Sequence, residues 1–402
     1  MTDLTPVQVL DSSIHTAAKQ WYDYPSDHFM HRYLRGRAGL NVGLNNGLDG
    51  LNTYLYGLHP GRYYLIGADS GVGKTTFADF GFVLNALAGA EKEGKKLYIF
   101  YYSFEISKQE KIAKWISYVV YQRHKVRLPS EYILGRIPGV KVTNEHDLMI
   151  QEAFPIVEGI MKKIIFIEDP IHPTFIYHSL IDGHYATKGT ILRALPTEQQ
   201  KKENRPGRIT GYVANPSEVN AQTLIIVDHI ALTAPEKGMN TKDVIDRLSS
   251  YFVQLRNMFG ATIVVVQQFN SDLQTFNRQT HLRKQGAGII LPQKLDFGDS
   301  KYTYRDADVV IGLVKPSDFD LQDFFDIPIA DLFKSYYVCA MLMKNRYGTG
   351  NKMISYLMDP VVGMFEYIKH PIPAENPFLH QIYSPKIKEL EECQTLFSPQ
   401  SQ

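Results

Sequence analysis

Cysteine is nearly absent from this chain. Cys339 and Cys393 are the only two in 402 residues. They provide neither a disulfide framework nor a cysteine-rich zinc site, and a reducing compartment is the default. An excess of one charge is missing too: 43 Lys and Arg face 42 Asp and Glu, for a formal net charge of +1. That excludes a coat protein working through a globally basic surface, but not nucleic-acid binding through a local groove or channel. No uninterrupted apolar run approaches the roughly 18 residues of a membrane span. The opening residues, from Met1 to Pro6, lack a basic stretch leading into an apolar core, so no signal peptide is expected. A soluble, cytoplasmic protein without a membrane partner is the expectation.

What is present is a globular composition, with 44% hydrophobic and 21% charged residues. At roughly 100–200 residues per domain, the length allows two or three domains. Residues 1–42 are aromatic-rich and read as a short N-terminal helical linker or docking segment, with an isolated His28/His31 pair and a glycine-rich boundary from Gly36 to Gly43. From there to residue 370, apolar runs alternate with helical spacing. Strands are expected over 63–66, 96–102, 163–167, 223–227, 261–266, 309–313 and 336–343, with helices over 75–87 and 108–121. Continuous apolar strands separated by helices argue for an α/β fold with a mainly parallel sheet covered on both faces. The polar stretch 196–208 reads as a surface insertion, and 270–300 as a long polar segment. Residues 371–402 are Pro-rich at their start and end in Ser-Pro-Gln-Ser-Gln, which reads as a partly disordered tail.

The strongest motif is Ala68-Asp69-Ser70-Gly71-Val72-Gly73-Lys74-Thr75-Thr76, a phosphate-binding loop with Ala68 where the strict pattern has Gly. Small residues let successive backbone amides turn inward around a phosphate. Lys74 can reach the β- and γ-phosphates, and the Thr75 hydroxyl can hold Mg²⁺. An apolar strand before the loop and a helix after it complete the context, and the helix turns its positive end toward the same anion. ATP and Mg²⁺ are the expected ligands. Asp228, closing the strand over 223–227, is the candidate second acid near the metal, and Asp169 is its rival at the end of another apolar strand. Glu105 follows the 96–102 strand and, read alone, is equally a helix cap or a water activator.

Taken in order, these residues resemble the ATPase domain of DnaB-type hexameric replicative helicases, a branch of the RecA-like fold. The resemblance runs from about Gly43 to Ile368. It includes Gly47-Leu48-Asp49-Gly50-Leu51-Asn52, the phosphate loop, Ser103-Phe104-Glu105-Ile106, Val227-Asp228-His229-Ile230-Ala231-Leu232, Gln267-Gln268-Phe269-Asn270, Arg305-Asp306-Ala307-Asp308 and Lys344-Asn345-Arg346-Tyr347-Gly348. It implies that Glu105 is the general base, that Gln268 relays between γ-phosphate and DNA, and that Lys344 and Arg346 reach a neighbouring subunit's ATP. The implied protein is an ATP-dependent helicase acting as a ring, a hexamer, on single-stranded DNA during replication, with a primase or helicase loader as a further partner. A RecA-like recombinase or loader that binds single-stranded DNA without unwinding is the alternative.

The sequence also departs from the family pattern. No N-terminal helical domain of adequate length precedes Gly43, which fits, by analogy, a replication protein of a virus or mobile element in its host's cytoplasm. The 196–208 insertion and the long 270–297 segment are atypical. Arg278, Arg283 and Lys284 in the latter are candidate DNA contacts, since loops after these strands face the channel of a RecA-like ring. His172, His178 and His184 recur every six residues, a spacing that suits surface or packing roles better than one metal site.

Overall fold

Six of the apolar runs become neighbouring parallel strands because each is rich in β-branched or aromatic residues and apolar on both faces, as a doubly covered strand must be. The computed structural model describes residue 37 and residues 43–270, 290–298, 301–369 and 377–397. The first part of the chain forms α1 (Asp49–Leu55), β1 (Tyr63–Ala68), α2 (Lys74–Ala78, continued through Asp79–Leu84 and Asn85–Lys92), β2 (Leu97–Ser103), α3 (Lys108–His124), α4 (Asn144–Lys162), β3 (Ile164–Ile167) and α5 (Pro173–Leu180). A hairpin follows, β4 (Gly189–Arg193) and β5 (Ile209–Ala214), then β6 (Gln222–Asp228), α6 (Thr241–Phe259) and β7 (Thr262–Gln268). The chain ends in α7 (Lys301–Asp306), β8 (Val309–Val314), β9 (Tyr337–Asn345), β10 (Lys352–Asp359), β11 (Met364–Tyr367) and α8 (Pro377–Leu396).

Nine strands form one sheet in the order β11-β10-β9-β8-β1-β7-β6-β2-β3. From β8 to β3 the neighbours are parallel. From β8 to β11 they are antiparallel, which lets short turns join the last three strands. The sheet is therefore the mainly parallel one expected, extended by two strands, β10 and β11, that follow Lys344.

The pleat divides each central strand between two cores. Tyr64, Ile66, Tyr101, Ile226 and Val264 pack on the side of α2, α3 and α4. Their neighbours Tyr63, Leu65, Tyr102, Val227 and Val265 pack on the side of α5 and α6. The helices start where their caps are: the Ser107 side chain accepts from the Glu110 amide to open α3, and Asn240 with Asp243 forms a capping box on α6. Gly260 closes α6 with φ +67°, a left-handed conformation that suits glycine.

Two expectations are refined and one is corrected. The polar stretch 196–208 is the outer end of the β4–β5 hairpin, which packs by Tyr212 on Tyr185 and Phe259. His184, beside this cluster, donates to or accepts from Thr223 Oγ1 at 2.9 Å, and burial lowers its pKa to about 4. The C-terminal stretch is not an irregular tail over 377–396. It is α8, which buries Leu379, Tyr383, Ile387 and Leu390 against Phe333, Tyr337 and Leu357 in a third apolar cluster. The Pro-rich start of the segment obscured an apolar residue every three or four positions. The N-terminal segment 1–42, apart from residue 37, and most of 270–300 lie outside the described residues.

Leu390 is 2% exposed. Replacing it with Ala should cost about 2–5 kcal/mol of stability in urea unfolding, the range for a buried large-to-small change; an unpacked tail would give no loss.

Candidate functional site

In a parallel sheet all strand C-termini share one edge, and ligands bind there. Register sets which residues meet. Ala68, the last residue of β1, pairs with Gln268, the last of β7. Asp228 at the end of β6 pairs with Val266 on one side and Ser103 on the other. The phosphate loop, Gln268, Asp228 and the turn carrying Glu105 are thus set side by side.

The loop leaves β1 at Ala68 and enters α2 at Lys74. Gly71 has φ +78° and Gly73 φ +102°, conformations that side chains rarely adopt. At Gly73 a Cβ would also stand 3.0 Å from the Met358 sulfur. Ser70 and Gly71 are exposed, Val72 is buried beneath them, and Thr75 and Thr76 are half-buried on the first turn of α2. Lys74 folds back over the loop, its Nζ donating to the Asp69 carbonyl at 2.8 Å. Burial lowers its pKa, while the nearby carboxylates of Glu105, Asp228 and Asp69 work in the opposite direction.

Asp228 is fully buried. Its Oδ2 lies 3.2 Å from the Tyr101 hydroxyl and 3.5 Å from Lys111 Nζ. Its Oδ1 is buried without a hydrogen-bond partner. An orphaned carboxylate oxygen is costly unless something else satisfies it. Together with the Thr75 hydroxyl it gives an all-oxygen donor set of the kind Mg²⁺ takes, with the remaining positions left to water and phosphate. Glu105 is exposed, in a turn held by the Phe104 amide donating to the Asp228 carbonyl at 2.8 Å and by Ser103 Oγ donating to the Ile106 carbonyl at 2.6 Å. The rival Asp169 is exposed at the end of the edge strand β3, two strands from Asp228.

Gln268 is the one exposed residue of β7, whereas Gln267 is buried between Phe297 and Thr303. Lys344 and Arg346 are at the opposite edge of the sheet. Arg346 Nη1 donates to Asp308 Oδ1 at 2.6 Å, just before β8 begins. Asp308 is fully buried and also accepts from Arg256 at 2.9 Å and from the Tyr63 amide at 2.9 Å. Lys344 Nζ donates to the carbonyls of Tyr304, Arg305 and Ala307 at 3.0, 2.9 and 2.6 Å. The length of β1, at about 3.3 Å per residue, separates this cluster from the phosphate loop of the same chain.

Arg278, Arg283 and Lys284 lie outside the described residues. His172 caps α5 by accepting from the Phe175 amide at 3.1 Å, His178 is exposed, and His184 is buried. Among the described residues no group of three or more His, Cys, Asp or Glu is placed to hold a metal, and no helix is long and apolar enough to cross a membrane. Sequence reading missed Asp79 and Lys111. Both are buried and paired at 2.9 Å. The available signal was a lysine on the 111-115-119 stripe of a helix whose other members there are Trp and Val.

No protein-family model and no curated protein matches this chain. Solved structures do. One of them, the ATPase domain of a DnaB-like helicase, superposes with a TM-score of 0.55 at 14% identity, over 90% of this chain and 99% of that one. A DnaB-like replicative helicase, described with its interactions with primase, superposes with a TM-score of 0.56 at 15% identity, over 84% of this chain. This chain spans 65% of that protein's length. The fold is thus the RecA-like α/β core of DnaB-like ATPase domains, as the motifs implied.

Asp308 joins two guanidinium groups in a buried site. Asp308→Asn should cost about 3–5 kcal/mol, the range for breaking a buried ion pair, in urea unfolding. Arg346→Ala, at a half-exposed partner, should cost clearly less.

Proposed function

We propose that this chain hydrolyses ATP and works as a DNA helicase, assembled as a hexameric ring on single-stranded DNA during replication. The observation that carries the ATPase reading is the unpartnered Asp228 Oδ1, buried beside the Lys74 loop and below an exposed Glu105. The helicase reading is supported by the order of the motifs along the chain and by the architecture it shares with two DnaB-like proteins.

In this reading the loop amides from Ser70 to Thr76 cradle the α- and β-phosphates, and Lys74 gives up its Asp69 carbonyl to reach the β- and γ-phosphates. Thr75 and Asp228 hold Mg²⁺, which when bound neutralises charge on the phosphates. Glu105, exposed at the mouth, takes the proton of the attacking water. Gln268, beside the loop, passes the state of the γ-phosphate to the segment carrying Arg278, Arg283 and Lys284, which holds the DNA backbone. Lys344 and Arg346 lie a strand's length from their own loop, so they act on the ATP of a neighbouring subunit, where an arginine finger is worth about 10³–10⁵ in rate. Residues 1–42 dock on an adjacent subunit. One DnaB-like relative is described with its interactions with primase, and a primase or helicase loader is the partner we assign here.

Glu105→Gln should bind ATP as the parent does and turn over at least about 100-fold more slowly, because the amide cannot accept the proton; Lys74→Ala should lose binding itself. Parental turnover in Glu105→Gln would reject Glu105 as the base. Fork unwinding driven by ATP separates a helicase from a loader that only binds single strands.

Subunit exchange tests the ring. Arg346→Ala and Lys74→Ala chains should each be inactive alone. Mixed, they should regain activity at interfaces that draw Lys74 and Arg346 from different, intact chains. No recovery in confirmed mixed rings would place Arg346 outside the neighbour's site.

A further inference from the structure

Lys111 is fully buried at the centre of α3, an unusual place for an ammonium group unless it is paired. Its three protons have three destinations. Nζ lies 2.9 Å from Asp79 Oδ1, 2.5 Å from the Tyr101 hydroxyl and 3.5 Å from Asp228 Oδ2. Asp79 also accepts from the Tyr101 hydroxyl at 2.8 Å and from Trp115 Nε1 at 3.2 Å. These residues come from four elements: α2, which opens at the phosphate loop, β2, which leads to Glu105, α3, and β6, which ends at Asp228.

The two carboxylates and one ammonium leave a net charge of −1 in the interior. That charge has one open oxygen, Asp228 Oδ1. The other oxygen of the same carboxylate faces Tyr101 and Lys111, so the plane of the carboxylate is fixed from behind.

We propose that Lys111 is a positioning residue for the metal site, holding Asp228 Oδ2 so that Oδ1 is presented to the cation. The proposal rests on the nucleotide-site reading above. Residues behind a metal ligand typically change metal affinity by about 10–100-fold when removed. A purely structural lysine would change stability and leave that affinity alone.

The test compares the parent with two variants. Lys111→Met combined with Asp79→Asn removes both charges of the pair, so no buried ion is left alone. Tyr101→Phe removes the other group facing Oδ2 at the cost of a single hydroxyl and serves if the double variant does not fold. Mn²⁺ affinity of the ADP complex is read by electron paramagnetic resonance, with metal-free ADP affinity and urea stability measured alongside. The expected result is metal-free ADP binding within about twofold of the parent and Mn²⁺ affinity reduced about tenfold or more in the double variant, less in Tyr101→Phe. Parental Mn²⁺ affinity in the variants, with lowered stability, overturns the proposal and leaves the nucleotide site standing. A parent that binds neither ADP nor Mn²⁺–ADP overturns the nucleotide reading itself.

Discussion

Everything at the candidate site depends on the parallel register of β1, β7, β6 and β2. Parallel pairing brings four strand ends to one edge, and the hydrogen-bond ladder fixes their relative height to within a fraction of a residue. Shifting one strand by a single residue would turn its side chains to the opposite face. In the observed register Asp228 stands level with Ser103, and Ala68 with Gln268. A loop, a carboxylate and a turn that lie far apart in the chain become neighbours without any special contact between them.

The same geometry explains the separation of the two charged clusters. Asp228, Lys111 and Asp79 lie toward the C-terminal edge of the parallel strands. Asp308, Arg256 and Arg346 lie at the N-terminal edge, one strand length away. Burying charge is expensive, and each cluster meets that cost by near-complete pairing. The exception is Asp228 Oδ1, and an unsatisfied oxygen in an otherwise satisfied network points to a ligand.

The antiparallel extension plays a different part. β9 returns along β8 and delivers Lys344 and Arg346 to the edge where β8 begins, the edge opposite the phosphate loop. Met358 on β10 comes against Gly73, and α8 closes the apolar face beyond β9 and β10. These late elements brace the loop from one side while presenting basic side chains at the other.

By itself, the sequence determined the alternation of strands and helices, the phosphate loop and the acids that follow β2 and β6. Each of these is written in consecutive residues: an apolar run, a glycine pattern, a carboxylate after a buried strand. α8 was hidden because two prolines near its start and a polar ending outweighed its periodic apolar residues in a linear reading. Only the tertiary structure decided between Asp228 and Asp169, because strand order is a property of the sheet: β6 is central and β3 is its edge. The Lys111–Asp79–Tyr101 network was equally out of reach. Its members come from three separate elements, and a lysine on a helix becomes a buried cation only when folding sets two carboxylates against it.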